Sequence, residues 1–275
     1  MNPINITKSK CSKDGLCAKA CPMKLIIIDE KTHYPQGDEN NAHTCVKCGH
    51  CVSVCPHDAI SIEGLNSESY ITIDNKKNPS FDEISYTLKS RRSIRNYKNK
   101  PVEKEKIESL LDIARYAPTA GNAQRLKWIA ISSPDVMRRL ADETINYMKT
   151  LVANDHPMAK AYNLQKLIEE EAKTHDRIFR GAPALIIAYA PKQYPITAVD
   201  SAISLTFIDT AAPSLGLGCC WVGFLMVAAN QWKPISDILK ISEEDTMCGA
   251  LMLGYPAERY YKIPPRKEAQ VSWFE

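Results

Sequence analysis

Seven of the ten cysteines in this 275-residue chain lie between Cys11 and Cys55, and their spacing is its strongest chemical signal. Cys45, Cys48, Cys51 and Cys55 follow the pattern Cys-x2-Cys-x2-Cys-x3-Cys, and Pro56 comes next. Three thiolates on one tight loop can hold three corners of an iron–sulfur cubane. The loop is too short to wrap the fourth corner, and in runs of this form the fourth cysteine ligates the other cluster. A shift of 34 residues lays the sequence on itself. Cys11 then falls on Cys45, Cys17 on Cys51, Cys21 on Cys55, Pro22 on Pro56, Ile26 and Ile28 on Ile60 and Ile62, and Asp29 on Glu63. Each half reads as a ligand loop, Cys-Pro and a short alternating strand. One cluster is expected on Cys45, Cys48, Cys51 and Cys21, the other on Cys11, Cys17 and Cys55.

The first half departs from the pattern at its second ligand position, which holds Asp14. Two readings stay open. Asp14 or solvent completes a four-iron cluster, the carboxylate being a harder and weaker partner than thiolate; or the site holds three irons. A site without any cluster is the third alternative. Paired Cys-x2-Cys units also build zinc sites. Crowding of cysteines on each loop, the proline after the fourth and the duplication favour iron–sulfur. His43, His50 and His57 read as solvated loop residues. Residues 5–65 resemble the two-cluster bacterial-type ferredoxins.

These loops need elements to hold them, and the rest of the chain supplies a second body. Apolar residues make 44% and charged residues 24% of the chain, with a net charge of +3. This excludes disorder, collagen-like repeats and coiled coil, and leaves no whole-chain electrostatic case for nucleic acid. Residues 1–13 contain no apolar run of the secretory type, so a reducing cytoplasm is expected rather than a disulfide scaffold. The uncharged stretch Thr210–Asn230 is about long enough to span a bilayer. Pro213, Gly216, Gly218 and Gly223 interrupt it, so it reads as a buried helix, a turn and a buried strand, with no membrane role.

The organisation expected is an iron–sulfur domain over 1–70, a polar linker over 71–80 and a second domain over 81–275. Ser80 and Glu83 form a capping-box pair ahead of Phe81, Ile84 and Leu88 at helical spacing. From Lys89 to Lys100 there are six cations and no acid. The run reads either as a solvated basic face or as a phosphate loop, since arginine forks match phosphate oxygens. A helix follows with Ile107, Leu110, Leu111 and Ala114 on its buried face, ending at Ala117-Pro118. Strands are expected at 127–132, 184–190 and 248–253, helices over 135–153, 158–175 and 198–215, and a strand or turn over 219–224. Helices on the faces of a mixed sheet form the expected α+β layering. Gly216 and Gly218 read as a helix cap and turn, Cys219, Cys220 and Cys248 as small buried hydrophobes, and Trp221 as core. Glu169–Glu171 and Glu243–Asp245 read as solvated acidic faces.

Five segments in order, Arg91-Arg92-Ser93-Ile94-Arg95, Ala117 to Gln124, Gly181-Ala182-Pro183-Ala184, Leu215 to Trp221 and Leu253-Gly254-Tyr255-Pro256, resemble the nitroreductase family of flavoproteins. The likeness spans about residues 81–270, and with the ferredoxin-like segment it covers the chain end to end. It implies an intertwined homodimer with FMN between subunits. Arg91, Arg92, Ser93 and Arg95 would then hold the flavin phosphate, ribityl chain and ring edge. Arg266 would add a phosphate contact and Arg177 a cation near the pyrimidine. Pro118, Thr119, Ala120, Asn122 and Gln124 would reach the cofactor from the neighbouring subunit. Val222, Gly223 and Phe224 would pass the isoalloxazine, with Gly223 permitting close approach.

The function so implied is an oxidoreductase. Clusters carry single electrons, flavin handles one or two, and the fusion works as a converter feeding a small organic acceptor such as a nitroaromatic, quinone or enone. The donor is a ferredoxin or NAD(P)H. No Gly-x-Gly-x-x-Gly marks a separate dinucleotide domain, because Gly216-Leu217-Gly218 runs into Cys219, Cys220 and Trp221. The alternative from another class is a non-enzymatic electron carrier or redox sensor.

Overall fold

The computed structural model describes residues 2–174 and 177–274, with Thr174 by its backbone alone. It divides into two compact units, Met1–Asn78 with Gly121–Ala123, and Pro79–Ala120 with Gln124–Glu275.

The first unit carries the internal repeat into three dimensions. Strand β1 (Ile4–Ile6), helix α1 (Leu16–Ala20), strands β2 (Ile26–Ile28) and β3 (Pro35–Gly37), helix α2 (His50–Ser53) and strand β4 (Ile60–Ile62) follow in order. β1 pairs antiparallel with β4, and β2 with β3. Each ligand loop turns through a left-handed glycine, Gly15 (φ 71°) ahead of α1 and Gly49 (φ 75°) ahead of α2. A glycine takes that backbone without the strain a Cβ brings. Ile4, Leu25, Ile26, Ile60 and Ile62 form the core against Cys17, Cys21 and Cys51. Ile27 and Ile28 are exposed, so only the strand after the second Cys-Pro alternates fully.

The second unit begins with helix α3 (Phe81–Ser90), whose capping box between Ser80 and Glu83 is complete. Helix α4 (Lys104–Ala114) buries Ile107, Leu110 and Ala114. Strand β5 (Lys127–Ile131), helices α5 (Pro134–Ala153), α6 (Pro157–Ala161) and α7 (Leu164–Thr174), strand β6 (Ala184–Pro191), helix α8 (Thr197–Ala211), strand β7 (Gly218–Trp221), helices α9 (Gly223–Ala229) and α10 (Lys233–Leu239) and strand β8 (Asp245–Gly254) complete it.

The sheet runs β5-β6-β8-β7. Because β6 is central, both its faces are covered, and alternate residues serve opposite layers. Leu185 and Ile187 pack with Leu140 and Met148 of α5, Leu225 of α9 and Ile235 of α10. Ala184, Ile186 and Ala188 pack with Leu110 of α4 and with Leu205 and Ile208 of α8.

Several expectations change. The sheet was expected to be mixed, yet each of its three strand pairings is antiparallel; long helical connections allow either direction. The helix expected over 158–175 is two helices, α6 and α7, broken at Asn163, whose φ of 48° leaves the helical region. Its last residue, His175, lies outside the described residues. The segment after Trp221 becomes α9 rather than continued strand. Glu171 is buried, accepting from the Arg177 N–H and pairing with Arg138 at 3.5 Å, so the Glu169–Glu171 run is not a solvated face throughout. Asp245 is also buried and pairs with Lys127 at 2.9 Å. Gly216 caps the turn after α8 at φ 73°, as expected. Cys219 and Cys220 are buried, while Cys248 is only half-buried. Among the described residues no helix is long and apolar enough to cross a membrane.

Candidate functional site

Two small cavities in the first unit gather the cysteines in the crossed arrangement. One is lined by Cys11, Asp14 and Cys17 from the first half and Cys55 from the second. The other is lined by Cys45, Cys48 and Cys51 from the second half and Cys21 from the first. The Cys-Pro segments repeat their backbone contacts too. Leu25 N donates to Cys21 Sγ at 3.3 Å, and Ala59 N donates to Cys55 Sγ at 3.4 Å. Such N–H···S contacts favour the thiolate and tune a cluster's potential. Burial pushes the free Cys51 thiol up to about 11, and the neighbouring Cys45 sulfur adds to the shift. Among the described residues no three His, Cys, Asp or Glu side chains converge on a single-ion position.

Asp14 lines its cavity at the place Cys48 holds in the other. Its carboxylate accepts from Leu16 N at 2.9 Å and Ser12 Oγ at 2.7 Å. These two bonds hold it below the usual carboxylate range. An ionised carboxylate with a fixed orientation is a competent oxygen ligand. His43, His50 and His57 are exposed. Tyr70, which spacing does not single out, lies over the second loop: a Cβ on Gly49 would sit 2.9 Å from its hydroxyl.

The second unit holds a cleft of about 320 Å³ at the end of β7, toward the small end of ligand sites. Five residues expected at the cofactor line it, namely Arg95, Arg177, Val222, Gly223 and Phe224. Met158, Tyr162, Arg180, Cys220 and Trp221 line it as well. Tyr162 meets Phe224 edge-on, ring centroids 5.9 Å apart. Trp221, expected as core, packs on the α4–α8 layer and also reaches the cleft. Among the described residues no acidic side chain lines the cleft, and a Cβ added to Gly223 would meet nothing within 4 Å. A flat, anionic ligand fits that combination of charge and open space.

The basic run lies against β7. Ile94 N donates to Cys219 O at 2.9 Å, and a Cβ on Gly218 would sit 2.3 Å from Ile94 Cγ1, so glycine is needed for the close approach. The four polar residues of the run separate here. Arg95 lines the cleft; Arg91 instead pairs with the buried Asp209 at 3.1 Å. Arg92 donates to Lys89 O, and its buried Nε has no partner, an orphan donor suited to an anion. Ser93 is half-buried between them.

Among the described residues that line the cleft, the remaining expected contacts are not found. Pro118 is exposed. Thr119 Oγ1 accepts from Gln124 N at 3.1 Å, and Ala120 N donates to the buried Asp200 at 3.0 Å. Asn122 Nδ2 donates to the carbonyls of Val46 and Lys47, at 3.0 and 3.1 Å. Arg266 sits in an exposed, irregular segment, with Nη1 3.4 Å from Pro265 O.

Comparison with known proteins decides the lineage. The model of the nitroreductase family matches residues 88–255. The chain belongs to the nitroreductase family. This nitroreductase-family oxidoreductase also carries a 4Fe-4S dicluster domain over residues 9–60. It is 24% identical over 181 residues to an FMN reductase (NADPH) of Bacillus subtilis, covering 65% of this chain and 68% of that protein. It is 25% identical over 192 residues to a putative NADH dehydrogenase/NAD(P)H nitroreductase of Archaeoglobus fulgidus, covering 67% and 93%. The cysteine-rich end is 33% identical over 66 residues to NADH-quinone oxidoreductase subunit I 2 of Geobacter metallireducens, covering 22% and 50%. Among solved structures, a Bacteroides fragilis nitroreductase with bound FMN shares the fold, with a TM-score of 0.58 at 22% identity over 70% of this chain and 99% of that one.

Proposed function

We propose that this nitroreductase-family protein is an FMN-dependent oxidoreductase with its own electron supply, a pair of iron–sulfur clusters. The observation that carries the reading is the pair of cysteine-ringed cavities, each completed by a cysteine from the other half of the repeat. When bound, the groups would supply one-electron exchange at the clusters and coupled one- and two-electron chemistry at the flavin.

The chain's residues have distinct tasks. Cys45, Cys48, Cys51 and Cys21 would hold one four-iron cluster. Cys11, Cys17 and Cys55, with Asp14 at the fourth corner, would hold the other. Arg95, Arg177 and Arg180 would neutralise the anionic cofactor and favour its reduced, negatively charged form. Gly223 leaves room for a ring system beside β7, flanked by Val222 and Phe224. Tyr162, Trp221 and Phe224 would exclude water and present apolar faces to a small aromatic or conjugated acceptor such as a nitroaromatic, quinone or enone. Arg91 is held by Asp209, so it would act on the phosphate as a member of the run rather than as a free cation. The Pro118–Gln124 turn and Arg266 would complete the cleft of a second subunit in a homodimer. The donor is a ferredoxin or NAD(P)H, in the reducing cytoplasm.

Anaerobic purification followed by denaturation tests this. Flavin released at about one per chain, together with iron and acid-labile sulfide, is the expected result. Clusters without flavin would leave only an electron carrier, and neither chromophore would end the proposal.

A further inference from the structure

The two halves of the first unit repeat in sequence but oppose one another in charge. Residues 1–34 carry Lys8, Lys10, Lys13, Lys19, Lys24 and Lys31 against three acids. Residues 35–70 carry Lys47 alone against five acids. Lys8, Lys10, Lys13 and Lys19 flank in sequence Cys11, Asp14 and Cys17, which line one cavity. Lys8 and Lys10 form the turn that delivers Cys11, and both are exposed. Lys13 Nζ lies 4.1 Å from the centroid of the Tyr34 ring, and Lys8 Nζ 5.5 Å from it. Lys19 is exposed on α1, two residues after Cys17. Asp14 itself is exposed at the cavity.

We infer that this lysine-rimmed face, over the Cys11–Asp14–Cys17–Cys55 cavity, is the docking surface for a small acidic redox protein that delivers single electrons. The inference rests on the iron–sulfur reading of that cavity. Opposed charges steer encounter and set register, and a shallow, solvent-reached centre suits short-lived complexes. The cavity beneath the lysines favours a redox partner over a nucleic acid or an anionic lipid surface. The Tyr34 ring, an aromatic that could stack on a base, is instead taken up by Lys8 and Lys13. In each docking the partner's centre is oxidised by one electron and the chain is reduced by one. Two dockings supply the two electrons which, with two protons from solvent, a two-electron organic acceptor takes up.

The test is calorimetric titration of the holoprotein with a purified acidic [4Fe–4S] ferredoxin at about 50 and about 300 mM salt, on either side of effective screening. Affinity is expected to fall on the order of tenfold at the higher salt. K8E/K10E/K19E should weaken low-salt binding by a similar factor, and the milder K8Q/K10Q/K19Q by less, while E63K/E68K in the acidic half stays within about twofold. Iron, sulfide and flavin contents and dithionite-driven turnover should match the unmodified protein in every variant. Unchanged ferredoxin affinity in the lysine variants overturns the docking surface. So does salt-sensitive binding to phosphatidylserine vesicles or duplex DNA with none to ferredoxin. Loss of iron and sulfide from the unmodified protein would instead overturn the cluster reading beneath it.

Discussion

Asp14 occupies a position where the repeat calls for cysteine, and on the proposed ligation its chemistry would set how firmly one corner of a cluster is held. Carboxylate oxygen is a harder donor than thiolate, so the iron at that corner should leave first. Brief treatment with a chelator is expected to remove about one iron per chain from the native protein, and D14C should retain it under the same conditions. Equal losses from both would mean that Asp14 makes no difference to that corner. A second residue-scale prediction concerns Glu103, whose carboxylate is lowered to about 2 chiefly by the Tyr255 hydroxyl, helped by Lys100. A carboxylate with a depressed folded-state value stabilises the fold above its unfolded value near 4.5, and the benefit is lost as pH falls toward 2. E103Q should therefore melt below the native protein at pH 6, with the gap closing as the scan is repeated down to pH 3. A gap constant with pH would show that geometry rather than charge carries the contact. The candidate cysteine ligands are legible in sequence because a cluster constrains spacing within one loop. The partner of Arg91 is not, since Asp209 lies 118 residues away and meets it only through folding.

At the scale of elements, β7 is the piece that assembles the cleft. Gly218 brings it against Ile94 of the basic run, Trp221 ends it at the cleft, and Gly223 opens α9 beside it. A methyl at residue 218 must displace Ile94, and overpacking of this kind costs about 1–3 kcal/mol. G218A is therefore expected to lower thermal stability and to weaken FMN binding, since Ile94 is flanked by Ser93 and Arg95. Melting scans and flavin titration of the deflavinated protein measure both. A variant that loses stability yet binds FMN unchanged would separate the run from the cofactor. β6 could be read directly as a central strand because both its faces are apolar. The break between α6 and α7 could not, because apolar spacing continues across Asn163 while the backbone there turns left-handed. Tyr162 and Arg180 reach the cleft from irregular positions just beyond α6 and before β6, where no periodicity marks them. The burial of Glu171 and Asp245 was hidden for a related reason: their partners Arg138 and Lys127 come from other elements.

For the whole molecule, the decisive feature is apolar surface that one chain leaves uncovered. Helix α3 has a well-capped N-terminus yet buries none of its residues, and Phe81 and Leu88 are 82% and 55% exposed. Trp273 and Phe274 near the end of the chain are 83% and 95% exposed. An amphipathic helix without a covering surface is marginal in water, and exposed apolar surface of this kind marks an interface. A second copy of the chain is the covering expected here, because Arg266 and the turn around Thr119 are not among the residues that line the cleft. The proposed clusters are different: each cavity is lined by all four of its candidate ligands from one chain. The two kinds of cofactor should therefore respond differently to dissociation. F81D/L88D is expected to shift sedimentation from dimer to monomer and to lower flavin content severalfold, while iron and acid-labile sulfide per chain stay unchanged. A monomeric variant that keeps its flavin would place the whole binding site within one subunit. A variant that loses iron and flavin together would report general unfolding, and circular dichroism of the same sample distinguishes that outcome from true dissociation.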